Sequence, residues 1–287
     1  MVGISGTCYH TEPTLQHVIA YSIIVSSSFV LVLYILVPPK IRSAHRSNEM
    51  QIKWRMVAVT IVSIFWTLMY SRLFCSEDIP PTMRYGHNHE ETALSYLGWN
   101  WNFRDIIFIS IHTTCLFLGP IVTDFLQSYN PDRLQIHSPI WATVRNLFVA
   151  PLTEEIVFRG CLIPPFLHSA QQINPLQVSI LAPVFFGLAH VHHAFVKIKS
   201  GYLWQSVLMS TLVQYTYTSL FGTYVSYVFI KTQSLPGIVI SHTICNTMGL
   251  PNLSFGSRHH FLYPYRGYIS FCYALGIYLF FIGFDYL

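Results

Sequence analysis

Five stretches of the chain stay apolar for about the thickness of a bilayer: 17–38, 54–71, 105–127, 204–230 and 267–287. A helix needs roughly 20 predominantly apolar residues to span the hydrocarbon, so each of the five predicts a membrane helix. Shorter or interrupted stretches at 92–102, 139–167, 173–193 and 235–251 raise the expected number to about seven to nine. The expected fold class is all-α, a polytopic integral membrane protein. No internal repeat, low-complexity tract or soluble domain interrupts the pattern. We therefore expect a single transmembrane domain over 1–287, with membrane scaffold over 1–138, a core over 139–255 and a last membrane helix over 256–287.

The interruptions concentrate in the second half, where Pro151, Pro164, Pro165, Pro175, Pro183, Pro236 and Pro251 fall among charged residues and histidines. Broken helices at membrane depth are tolerated where they line a protein-walled or wet cavity. The pattern thus predicts a polar cavity built by residues 140–250, with the first half as scaffold.

Composition supports the membrane reading. Of 287 residues, 52% are hydrophobic and only 10% charged, against about 25% charged in soluble domains. The net charge of +4 gives no nucleic-acid face. The segment 39–55, "PKIRSAHRSNEMQIKWR", is strongly basic and by the positive-inside rule faces the cytosol. The amino terminus and the mixed-charge loop 72–91 then lie on the lumenal side. The start of the chain lacks a basic region, apolar stretch and small-residue cleavage site in sequence, so no cleaved signal peptide is expected. The six cysteines are scattered and mostly in apolar segments, so neither a disulfide framework nor a zinc ribbon is expected.

Three polar clusters interrupt this apolar background. In "TEEIVFRG" (153–160), Glu155 and Arg159 are four apart on one helical face, the favoured order for an ion pair. Glu154 is rotated about 100° away, so one carboxylate can be held by the arginine while the other faces a cavity. The ordinary alternative is a helix start, with Thr153 as cap and the glutamates complementing the dipole. In "FFGLAHVHH" (185–193), Phe186 and His190 share a face, while His192 and His193 point elsewhere. Three histidines in four positions raise the possibility of a metal, but the sequence holds no H-E-x-x-H. In "SHTICNTMGLP" (241–251), His242 and Asn246 share a face. An asparagine there suits an oxyanion donor or a structural cross-link equally well.

Together the clusters supply a base, a second group to orient water, and donors for a developing oxyanion. They supply no serine or cysteine nucleophile with its own base: Ser241 and Cys245 are adjacent to, not facing, the polar residues, and Cys161 is the best thiol candidate. The chemistry that fits is attack of an activated water on an amide.

The ordered set E-E-x-x-x-R, F-x-x-x-H and H-x-x-x-N on successive membrane segments resembles the CaaX prenyl endopeptidases of the Ras-converting type. These belong to the wider group of CaaX proteases and bacteriocin-processing proteins. The flanks "APLTEEIVFRG", "FFGLAHVHH" and "CNTMGLP" resemble the eukaryotic branch, and the resemblance covers roughly 140–255. It implies a metal-independent intramembrane endopeptidase, without cofactor, in the endoplasmic reticulum membrane, with its site open to the cytosolic side. Such an enzyme removes the aaX tripeptide from farnesylated or geranylgeranylated CaaX proteins, among them Ras-like small GTPases. It implies that Glu154 and His190 activate the water and that His242 and Asn246 stabilise the oxyanion, with Glu155, Arg159 and Phe186 in support. Implied partners are these prenylated proteins and membrane lipid, and no nucleic acid. Lys197 and Lys199 are candidates for meeting the substrate's terminal carboxylate. A transporter, a non-catalytic scaffold of the same fold and a zinc-dependent intramembrane protease are the competing readings. A transporter predicts repeated polar halves, which the sequence lacks.

Overall fold

A computed structural model describes residues 8–42, 48–76, 92–130 and 139–287. The first helix, α1 (Leu15–Ile35), starts at Thr14, whose hydroxyl accepts from the backbone N–H of His17. A short α2 (Pro39–Arg42) leads toward α3 (Glu49–Phe74), capped by Asn48 accepting from Gln51 N–H at 3.1 Å. After α4 (Ala93–Tyr96) come α5 (Phe103–Leu116) and α6 (Leu118–Gln127), a pair bent by 66°. The central run comprises α7 (Ile140–Val144), a π-helical turn at Arg145–Val149, α8 (Ala150–Glu155), a second π-helical turn at Ile156–Cys161 and α9 (Ile163–Leu167). Next come α10 (Pro175–His190), α11 (His192–Lys199), α12 (Trp204–Thr232), α13 (Leu235–Met248) and α14 (Arg266–Gly283).

The caps follow from the residues at each start. Asn174 and Gln177 form a capping box at α10, with Pro175 at the first turn where a missing N–H costs nothing. Ser234 accepts from Gly237 N–H at the start of α13. Gly98 turns the chain ahead of α5 at φ +80°, and a Cβ there would lie 2.3 Å from the Phe229 ring.

Four described helical stretches are long and apolar enough to cross a membrane: Leu15–Ile35, Glu49–Phe74, Pro175–Lys199 and Tyr263–Tyr286. The bent α5–α6 pair makes a fifth if counted as one span. The stretch at 139–167 is cut into short α and π pieces, and α12 carries a string of Gln, Thr, Ser and Tyr residues, so neither reads as a plain apolar rod.

One apolar core joins both halves of the chain. Val25, Phe29 and Trp66 of α1 and α3 pack in the same cluster as Phe158, Phe186, Val225 and Ile238. Helix α10 carries Pro183 against α12 at Gly222, where a Cβ would come within 2.8 Å of the Pro183 Cβ.

The cysteine expectation is corrected at one pair. Cys8 and Cys75 form a disulfide beside a two-residue antiparallel pairing of β1 (Tyr9–His10) with β2 (Cys75–Ser76). The bond ties the start of α1 to the end of α3. The rest of the loop expected to be lumenal, 77–91, lies outside the described residues, as does 43–47 of the basic loop.

Candidate functional site

The site grows from a proline inside a helix. Pro151 has no N–H, so it cannot donate to the carbonyl of Leu147 in an α turn or of Asn146 in a π turn. Both carbonyls are satisfied from α13 instead. The Thr243 hydroxyl donates to Leu147 O at 2.8 Å, and Asn246 Nδ2 donates to Asn146 O at 2.9 Å. The irregular helix carrying the glutamates is thereby fastened to the helix carrying His242.

Two to four residues after Pro151 the chain reaches Thr153, Glu154 and Glu155. Thr153 does not cap a helix start: it lies inside α8 and its hydroxyl donates back to Val149 O at 2.7 Å. The helix-start alternative therefore fails at this position.

Glu155 and Arg159 form the ion pair that their spacing predicts. Arg159 Nη1 lies 3.2 Å from the Glu155 carboxylate, and the side chains are 1% and 0% exposed. Burying two charges is costly unless geometry and additional hydrogen bonds compensate. Here His242 Nδ1 makes a 2.6 Å hydrogen bond to Glu155 Oε1. The Arg159 guanidinium also stacks 4.6 Å from the centre of the Phe186 ring. Phe186 in turn meets His190 edge-on at 4.8 Å.

Glu154 turns the other way, as the 100° offset requires. Its carboxylate is partly exposed, and it lines an open cavity of about 120 Å³ together with His190. His190 Nδ1 donates to the Phe186 carbonyl at 2.8 Å. That bond fixes the tautomer and makes Nε2 the basic ring nitrogen. The other nitrogen of His242, Nε2, lies 3.9 Å from Glu154 Oε2. His242 thus sits between the two carboxylates, with Phe221 edge-on to its ring at 5.0 Å. The arrangement offers a carboxylate and an imidazole on one cavity, with a buried ion pair and a histidine behind them.

The remaining candidates are placed differently. Asn246 is exposed, one turn on from His242, and is engaged with Asn146 rather than on the cavity wall. Cys161 is fully buried in the core and Ser241 is bonded to Thr113 at 2.8 Å, so neither presents a nucleophile to the cavity. Lys197 reaches Ser210 at 3.0 Å, and neither it nor Lys199 lines the cavity. Among the described residues, no group of three or more His, Cys, Asp or Glu side chains is arranged to hold a metal ion.

Sequence reasoning missed part of the wall. Arg55, Arg145 and His192 line the cavity with Glu154, and the expected scaffold contributes Phe29, Val30 and Leu33 of α1 with Met56 and Val59 of α3. The only available signal was that Arg55 and Arg145 are cations at the edge of apolar segments.

Comparison with known proteins bears on this arrangement. Residues 136–248 match the family model described as Type II CAAX prenyl endopeptidase Rce1-like. The chain is 31% identical over 260 residues to CAAX prenyl protease 2 of Saccharomyces cerevisiae, covering 80% of this chain and 79% of that protein. It is 37% identical over 183 residues to CAAX prenyl protease 2 of Homo sapiens, covering 58% of this chain and 53% of that protein. It is 31% identical over 153 residues to the probable CAAX prenyl protease 2 of Schizosaccharomyces pombe, covering 50% and 54%. The match thus spans about half the length of the human and fission-yeast relatives. No solved structure matches the chain significantly. The chain belongs to the type II CAAX prenyl endopeptidase family.

Proposed function

We propose that this member of the family is an intramembrane endopeptidase that removes the aaX tripeptide from prenylated CaaX proteins, Ras-like small GTPases among them. The observation that carries the reading is the pairing of Glu154 with His190 on one open cavity, backed by a buried Glu155–Arg159 pair and a histidine bonded to Glu155 and 3.9 Å from Glu154.

The chemistry runs through these side chains. Glu154 takes a proton from a water held between it and His190 Nε2, and the resulting hydroxide attacks the carbonyl of the prenylated cysteine. The amide C–N bond breaks as the proton passes to the leaving nitrogen, yielding a prenylcysteine carboxylate and a free tripeptide. His242, held at Nδ1 by Glu155 and with Nε2 turned toward Glu154, donates to the oxyanion as it forms. Such preorganised donors are commonly the largest contribution to catalysis of this type. Asn246 has two amide protons, of which Asn146 takes one; we assign the other to the same oxyanion. Glu155, Arg159 and Phe186 position His242 and His190.

The apolar wall of Phe29, Val30, Leu33, Met56 and Val59 beside the catalytic pair suits a lipidated cysteine arriving from the bilayer. Orientation follows from two features at opposite ends of α3. Arg55, at the end of the basic 39–55 segment, lines the cavity, so the positive-inside rule turns the mouth to the cytosol. The Cys8–Cys75 disulfide lies at the other end of α3, and disulfides persist on the oxidising, lumenal side. Both fit a multi-pass protein of the endoplasmic reticulum.

The test is to incubate the protein in lipid with matched farnesylated and unlipidated CaaX peptides and to identify products by mass. Release of an intact tripeptide from the farnesylated peptide alone is expected. No tripeptide from folded protein, or cleavage at another bond, contradicts the reading.

A further inference from the structure

We propose that Arg145 and Arg55 form the subsite that binds the free carboxylate at the substrate's carboxyl terminus, and so set cleavage three residues from the chain end. The inference rests on the protease reading above. Both arginines are half-buried on the wall of the cavity that Glu154 and His190 line. Both are cations at the edge of apolar segments, and here two approach one cavity from separate elements.

The spacing suits a tripeptide. Arg145 precedes Glu154 by nine residues on one continuous helical run. At about 1.5 Å per residue their backbones are roughly 13 Å apart along the axis. Three extended residues span about 10 Å, and the reach of an arginine side chain covers the difference. In a regular α-helix nine residues amount to about two and a half turns, which would put Arg145 and Glu154 on opposite faces. The π-helical turn at Arg145–Val149 takes more residues per turn and removes that opposition. The irregularity thus lets one helix supply both the base and the cation. A guanidinium fork matches a carboxylate with two parallel hydrogen bonds. Arg55 on α3 supplies the second cation on the same cavity.

The experiment uses the full chain in lipid with two farnesylated peptides, one ending in a free carboxylate and one in a carboxamide. Wild type is expected to favour the acid by roughly 10- to 100-fold in kcat/KM, the range for a hydrogen bond to a charged group. Arg145→Gln and Arg55→Gln are each expected to shrink that preference about tenfold by raising KM for the acid more than for the amide. Arg145→Lys is expected to retain part of it. Equal cleavage of both peptides by wild type overturns the inference and leaves the protease reading standing. So does an unchanged acid-to-amide ratio in the variants, including a parallel loss on both peptides. Wild type that cleaves neither peptide overturns the protease reading itself, and the subsite with it.

Discussion

Replacing Arg159 with methionine keeps most of the side chain's volume and removes its charge from a fully buried site. Arg159 is the largest side chain in the protein that is buried to this degree among the described residues. At 3.2 Å from Glu155, the attraction is about 5 kcal/mol at an effective dielectric of about 20. Desolvation of both groups offsets much of that in the intact pair. Deleting one partner leaves the other carboxylate buried with only His242 against it, and such deletions cost roughly 3–5 kcal/mol. The stacking on Phe186 is lost at the same time. The assay is denaturant and thermal unfolding in detergent of Arg159→Met, Glu155→Gln and the double variant. Each single change is expected to lose about 3–5 kcal/mol, and the double to lose less than the sum by more than about 1 kcal/mol, the mark of directly coupled groups. A stability of Arg159→Met within about 0.5 kcal/mol of wild type, or strict additivity, would refute the view that this pair holds the site together.

Further outcomes follow from the same geometry. Gly222→Ala places a methyl 2.8 Å from Pro183 Cβ and 3.2 Å from Arg159 Nη2, so thermal unfolding should show a loss of about 1–3 kcal/mol. Thr243→Val strands the Leu147 carbonyl that Pro151 cannot serve. It should cost about 1–3 kcal/mol by denaturant titration, with a fall in kcat as the glutamate helix loosens. Cys8→Ser opens a loop with a sequence separation of 67. The chain-entropy model sets the largest loss at about 4 kcal/mol, measurable as a lowered Tm that reductant reproduces in wild type and leaves unchanged in the variant.

The polar skeleton of the site was legible because it obeys simple helical arithmetic. Glu155 pairs with Arg159, Phe186 meets His190, and Glu154 diverges from Glu155, all from offsets of four residues or one. The cavity wall was less legible, for two reasons. Arg145 lies in a π-helical turn, where the 3.6-residue period no longer says which face a side chain takes. Arg55 joins the wall only through packing of α3 against the central run, a contact across many residues of sequence. The disulfide was hidden for a similar reason, since Cys8 and Cys75 share no local spacing signature. Asn246 was left open between oxyanion donor and cross-link, and the Asn146 bond takes up one of its two amide protons. That bond depends on a carbonyl freed by Pro151, which no reading of residues 242–246 alone supplies.

The most direct test of the central claim compares wild type with Glu154→Gln and His190→Ala on one farnesylated CaaX peptide, each with and without a chelator. All three proteins are first matched for unfolding temperature in detergent. The account predicts tripeptide release by wild type, indifferent to chelator, and a loss of at least about 100-fold in kcat for each variant, as for removal of a general base. Glu154→Gln that still releases tripeptide at the wild-type rate would contradict it.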